Sequence, residues 1–136
     1  MDVQYQSNLN GVTPDVLGGF FGSWPNAPSP DAHYRMMEGS DFVVLARSGD
    51  GKVIGWISAV SDGVSCAYIP HLEVLPEHRG KGIGSELVKR MLKALDGIYM
   101  IDLACDDDVV SFYERLGFKT CNAMIIRNYD RQHCEA

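Results

Sequence analysis

The sequence predicts an α/β fold built on a mixed, mostly antiparallel sheet, and three observations predict it. Residues 69–95 read as strand, glycine-rich turn and long helix. Ahead of them, residues 42–46, 53–60 and 66–74 are short apolar runs separated by tight turns, the pattern of an antiparallel meander. Behind them, residues 98–104 form one more short apolar run, which reads as a buried strand parallel to its predecessor.

Composition narrows the class further. At 136 residues and 15.0 kDa, one domain over 1–136 with a core of two packed layers is expected. Hydrophobic residues at 46% and charged residues at 22% are ordinary for a globular protein. A formal net charge of −6 argues against nonspecific nucleic-acid binding, which needs a basic face. No apolar run approaches membrane-spanning length, and Asp2 stands where a signal peptide would be basic, so a cytoplasmic location is expected. Cys66, Cys105, Cys121 and Cys134 show neither C-x-x-C pairing nor zinc-ligand spacing to a histidine, so they read as reduced thiols and no metal site is expected.

In chain order, Val3 and Tyr5 start an edge strand that the S-N-L-N-G run at 7–11 breaks. Thr13 caps a helix with Pro14 in its first position, closing near Gly18 and Gly19. Residues 20–30 carry Phe20, Phe21, Trp24 and three prolines, and either fold over the core or line a pocket. Ser29, Pro30 and Asp31 open a second helix through Glu38, ended by Gly39. S-G-D-G at 48–51 turns the first hairpin and Asp62-Gly63 the next. Pro70 falls inside the third strand of the meander, where a missing N–H marks an edge or a bulge.

From Ile83, apolar residues recur at three- and four-residue steps through Leu87, Val88, Met91, Leu92 and Leu95, with Glu86, Lys89, Arg90 and Lys93 on the other face. Asp106, Asp107 and Asp108 cap a last helix whose apolar face is Val109, Phe112, Tyr113 and Leu116, ended by Gly117. Residues 118–120 and 124–127 are expected to close the sheet as a hairpin, and the tail with His133 and Cys134 to be disordered.

The chemistry concentrates where the glycine turn meets the long helix. Gly80, Gly82 and Gly84 leave backbone N–H groups uncovered at a helix N-terminus, where free amides and the helix dipole favour a phosphate. A P-loop requires G-x-x-x-x-G-K-S/T, and Lys81 between two glycines breaks that order. A dinucleotide fingerprint requires G-x-G-x-x-G, and Ser85 stands at the third glycine. The remaining pattern, Q/R-x-x-G-x-G/A, is met by Arg79, Gly82 and Gly84.

That pattern resembles motif A of the GCN5-related N-acetyltransferase (GNAT) family. L-E-V-L-P before Arg79 resembles the family's fourth strand, and D-D-D-V-V-S-F-Y-E-R-L-G-F at 106–118 resembles its motif B. The resemblance covers roughly half the chain in detail. It implies the acyl-CoA N-acyltransferase fold, with helices on both sheet faces, and acetyl-CoA as co-substrate. It implies that the amides of Arg79, Gly80, Lys81, Gly82, Ile83, Gly84 and Ser85 hold the pyrophosphate, with charge added by Arg79 and Lys81, although Ile83 also reads as a core side chain. The strand with Pro70 is expected to bulge, and the acyl-CoA arm to lie against backbone near Leu72 and Val74. Tyr113 matches the family tyrosine that can protonate the leaving thiolate.

The amine must be neutral to attack, so a base is needed; Glu73 ranks first, with Asp102 and His71 as alternatives, while His33 and His78 read as ordinary surface or pocket groups. The expected function is acetyl transfer from acetyl-CoA to a primary amine on a small molecule or a protein, directly. The alternative is a CoA-binding module without catalysis. The acidic balance, with Glu38, Glu73 and Asp102 as contributors, points to a cationic acceptor, and residues 20–34 are the expected acceptor loops. Neither nucleic acid nor membrane is an expected partner, and a homodimer stays open.

Overall fold

The computed structural model describes residues 2–135. Five strands, β1 (Gln4–Gln6), β2 (Phe42–Arg47), β3 (Val53–Ser61), β4 (Cys66–Val74) and β5 (Met100–Asp102), form one sheet in sequence order. The first four run antiparallel, and β5 pairs parallel to β4. The helices are α1 (Pro30–Gly39), α2 (Ile83–Ala94) and α3 (Val110–Arg115).

Successive side chains of a strand face opposite ways, so neighbours on β3 report what covers each face. On one face, a Cβ added to Gly55 would come within 3.1 Å of Leu87 and 3.3 Å of Ile83, so α2 presses on the sheet there. On the other, the Trp56 ring lies 4.2 Å from that of His33 on α1. Helices therefore cover both faces, as the resemblance implies. Ser29 starts α1 as expected, its hydroxyl accepting from the Ala32 N–H at 3.1 Å. Ile83, Leu87, Val88 and Met91 are the buried stripe of α2.

The bulge is present. Ser58 pairs with His71 but Val60 with Tyr68, so one β3 residue faces both Ile69 and Pro70 on β4.

Four expectations are corrected. The helix after Thr13 shrinks to a 3-10 turn, Pro14–Val16, because the Thr13 side chain makes no cap bond and the turn is too short to nucleate a helix. The strand expected over 98–104 keeps only β5, and it is not buried: Met100 is 44% exposed. The final hairpin does not form; residues 118–127 hold no strand, and Met124 is 99% and Ile126 86% exposed. The tail is held instead of disordered. The Asn26 N–H donates to Gln132 at 3.2 Å, the Ser29 hydroxyl to Glu135 at 3.0 Å, and Arg35 pairs with Glu135 at 3.5 Å. Anchoring the tail at the start of α1 stretches 118–127 between two fixed points. Among the described residues no helix is long and apolar enough to cross a membrane.

Candidate active site

A cleft opens where β4 and β5 part. β5 follows β4 only from Cys66 to Tyr68, so beyond the bulge β4 has no strand on that side and its alternate N–H and C=O groups face the gap. β4 then leads through the turn Pro76–His78 and the glycines into α2.

Gly80 and Gly82 have φ of +78° and +82°, left-handed conformations that strain any side chain. Gly82 is the α2 N-cap, and the first backbone bond into the helix runs from the Glu86 N–H to the Gly82 carbonyl at 3.0 Å. The N–H groups of Ile83, Gly84 and Ser85 thus have no acceptor within the helix and stand at the positive end of its dipole. At Gly84 a Cβ would meet the Phe112 ring at 3.5 Å, an ordinary contact, so there is room for a methyl group but a larger side chain would press on Phe112. Arg79 is held beside this turn by its Nε, which donates to the Val74 carbonyl at 2.9 Å. The Ile83 side chain is buried in the core, as its apolar character implies.

The opposite wall comes from Ala104, Cys105 and Asp106 after β5, and from Phe112 and Tyr113 of α3. Tyr113 is half-buried and meets Phe112 and Phe118 edge to face, at 4.9 and 5.6 Å between centroids. Burial first, and neighbouring Cys105 second, push its hydroxyl up to about 12, so it keeps its proton at ordinary pH and is a donor.

The inner end is aromatic. Trp56 stacks on His71 at 5.1 Å and 26°, Trp24 lies 6.3 Å from His71, and Phe21 4.8 Å from Trp24. His33, which sequence reasoning left as an ordinary surface or pocket group, is only 1% exposed behind Trp56. Burial pushes both imidazoles down to about 4, with His71 adding to the fall of His33, so both are neutral near pH 7. Glu73 lies beneath these rings, and the Phe21 N–H donates to both of its carboxylate oxygens, at 3.0 and 3.1 Å. Phe21 holds φ of +62°, an uncommon conformation for a bulky residue, which this bond helps to hold. Burial raises the Glu73 pKa, while the Phe21 N–H and Arg79 pull against it. The net result is a carboxylate more basic than an ordinary glutamate.

Tyr113, Glu73, His71, Leu72, Val74, Arg79 and the turn residues Gly80 and Gly82 to Ser85 line this one cleft of about 810 Å³, a volume suited to a small-molecule ligand. Lys81 is exposed and outside the lining, because the left-handed glycines on either side turn it to solvent. Asp102 and Glu38 are also outside it; the acidic groups that do line the cleft are Glu73, Asp106 and Asp108. Sequence reasoning missed Trp56 and Cys105 as wall residues. Trp56 pairs directly with Glu73 across β3 and β4, a register that the apolar β3 run alone does not reveal.

Comparison with known proteins agrees with this geometry. The acetyltransferase (GNAT) family model matches residues 10–118. The chloroplastic GCN5-related N-acetyltransferase 2 of Arabidopsis thaliana is 36% identical over 94 residues, which are 63% of this chain and 36% of that protein. The chloroplastic serotonin N-acetyltransferase 2 of Oryza sativa subsp. japonica is 34% identical over 62% of this chain and 44% of its own length. The chain thus spans less than half the length of these two curated relatives. A crystal structure from Deinococcus radiodurans R1, assigned by name as an acetyltransferase, is 54% identical and superposes with a TM-score of 0.95 over 97% of this chain and 92% of that one. With the family pattern matched over most of its length and the fold shared, the chain belongs to the GNAT family of acetyltransferases.

Proposed function

We propose that the chain moves the acetyl group of acetyl-CoA directly to the primary amine of an acceptor bound at the aromatic end of the cleft. One observation carries this reading: a single cleft joins the free amides of α2, the unpaired edge of β4, Tyr113 and Glu73. Acetyl-CoA supplies an activated thioester. The N–H groups of Ile83, Gly84 and Ser85, with Arg79, hold its pyrophosphate. The edge of β4 near Leu72 and Val74, which no neighbouring strand pairs, takes the amide-bearing arm beside the Val74 carbonyl that Arg79 engages. Glu73 takes a proton from the attacking nitrogen, directly or through water, and Tyr113 gives its proton to the sulfur as the C–S bond breaks.

The π face of Trp24, in the same cleft as the Glu73 carboxylate, suits an ammonium group on a flat or apolar body, while Trp56, fully buried between His33 and His71, backs that wall. One relative is named for serotonin, an aromatic amine, which agrees with such an acceptor. A CoA-binding module without catalysis draws on a single observation, that the Glu73 carboxylate is already engaged by the Phe21 N–H. A panel of cationic, neutral and acidic amines with acetyl-CoA, read by thiol release, decides between the two. Cationic amines should react best and lose rate as salt rises. Release with none of them leaves the binding module.

The coenzyme assignment has its own test. Gly84→Val brings a side chain against Phe112 and into the floor of the phosphate site. It should weaken coenzyme A binding at least tenfold, about 1.4 kcal/mol, by calorimetry. Unchanged affinity in the folded variant removes the phosphate assignment.

A further inference from the structure

Residues 18–29 run along the aromatic end of the cleft without a helix or strand of their own, so contacts with other segments fix their course. Phe21, Ser23 and Trp24 of this loop line the cleft. Its inner half is tied twice. The Lys52 Nζ donates to the Gly18 carbonyl at 3.0 Å, and the Phe21 N–H donates to Glu73 at 3.0 and 3.1 Å.

The outer half is tied by the tail. The Asn26 N–H donates to the Gln132 side-chain oxygen at 3.2 Å and the Ser29 hydroxyl to Glu135 at 3.0 Å, each partner 106 residues further along the chain. Among the described residues, the bond from Asn26 to Gln132 is the one hydrogen bond that links residues 22–28 to any other segment. The Trp24 N–H stays within the loop, donating to the Phe21 carbonyl at 3.0 Å. The tail is itself held in shape: the Glu135 N–H donates to His133 Nδ1 at 2.9 Å, and Arg35 of α1 reaches the Cys134 carbonyl at 3.4 Å and the Glu135 carboxylate at 3.5 Å. Because the Ser29 hydroxyl also caps α1, Glu135 fastens the end of the loop to the start of that helix.

Trp24 sits between the two sets of ties. Its ring lies 4.8 Å from that of Phe21 and 6.3 Å from that of His71, half-buried. The backbone that carries it is fixed three residues before, at Phe21, and two residues after, at Asn26. Freeing the Asn26 end lets the ring swing out of the cleft while Glu73 and Tyr113 keep their places.

We propose that Gln132 and Glu135 are positioning residues for the acceptor, acting through Trp24: they hold the loop closed, so that the ring is in place before the amine arrives. The proposal rests on the reading that the acceptor binds at the aromatic end. A loop closed only part of the time weakens apparent binding in proportion to the fraction closed, so the tail sets acceptor affinity. The chemical step is left alone, because the bound complex has the same closed loop, the same base and the same acid. Coenzyme binding is likewise untouched, since the α2 amides and Arg79 lie outside the loop.

The test is a pair of double variants of the full chain, read by steady-state kinetics, coenzyme A calorimetry and hydrogen exchange. Gln132→Ala with Glu135→Ala removes both acceptors and should raise KM for the best amine about tenfold. In the same variant kcat and coenzyme A affinity should stay within about twofold of the parent, and the Asn26 amide should exchange about tenfold faster or more. Gln132→Glu with Glu135→Gln keeps an oxygen for each donor and loses only the charge at an exposed ion pair, so it should restore the parent KM. Trp24→Ala is measured beside them and should raise the same KM through loss of the ring. If Trp24→Ala raises KM and the double alanine variant does not, the clamp is wrong and the acceptor site stands. A rise that the conservative pair fails to reverse overturns the clamp as well. If neither Trp24→Ala nor the double alanine variant moves KM, the acceptor does not bind at the aromatic end, and the clamp falls with that reading.

Discussion

Tyr113→Phe is expected to keep coenzyme A affinity and lose turnover by about a hundredfold or more. The reason is geometric. Phenylalanine preserves the ring that packs edge to face on Phe112 and Phe118, so the wall of the cleft stands and only the hydroxyl is gone. That hydroxyl lines the cleft and is held protonated by burial, as the proposed donor to a departing thiolate requires. Steady-state kinetics with the best amine, beside calorimetry of coenzyme A, separates the two properties. An acyl donor with a more acidic thiol needs less protonation on leaving and should recover part of the loss. Turnover at the parent rate across the pH range would return Tyr113 to a packing role.

Glu73→Gln should act on the other limb of the reaction. Burial raises the carboxylate's pKa, so the parent rate should rise with pH through a value above that of an ordinary glutamate, as the group loses its proton and becomes a base. Glutamine has no such titration. The rise should flatten, the rate should fall about a hundredfold at neutral pH, and an amine of lower pKa should rescue part of it. Glutamine still offers one oxygen to the Phe21 N–H, so the aromatic loop should remain in place. Glu73→Ala should be worse, because it also leaves that buried N–H without an acceptor, a loss of about 1–3 kcal/mol. If Gln turns over at the parent rate with an unaltered pH profile and only Ala loses rate, Glu73 is only the loop's anchor. His71, neutral and lining the cleft, is then the next base to remove, ahead of Asp102, which does not line it.

What the sequence alone determined about this protein is the part written in consecutive residues. Pro70 marked an edge or a bulge, Gly80 and Gly82 marked a turn with uncovered amides, and the apolar period from Ile83 marked the buried stripe of α2. Each is a local steric or periodic constraint, legible without knowing any neighbour in space. The glycine turn and the family likeness were therefore readable. Tertiary structure alone decided what depends on partners far along the chain. The Phe21 N–H reaches Glu73 across 52 residues, and the aromatic end joins the 20–34 segment to two strands. Lys81 and Asp102 have the right chemistry but lie outside the cleft, which only the course of the backbone can say. The arm at 119–127 has strand-forming residues and no strand, because a strand needs an edge to pair with, and propensity does not say where that edge is.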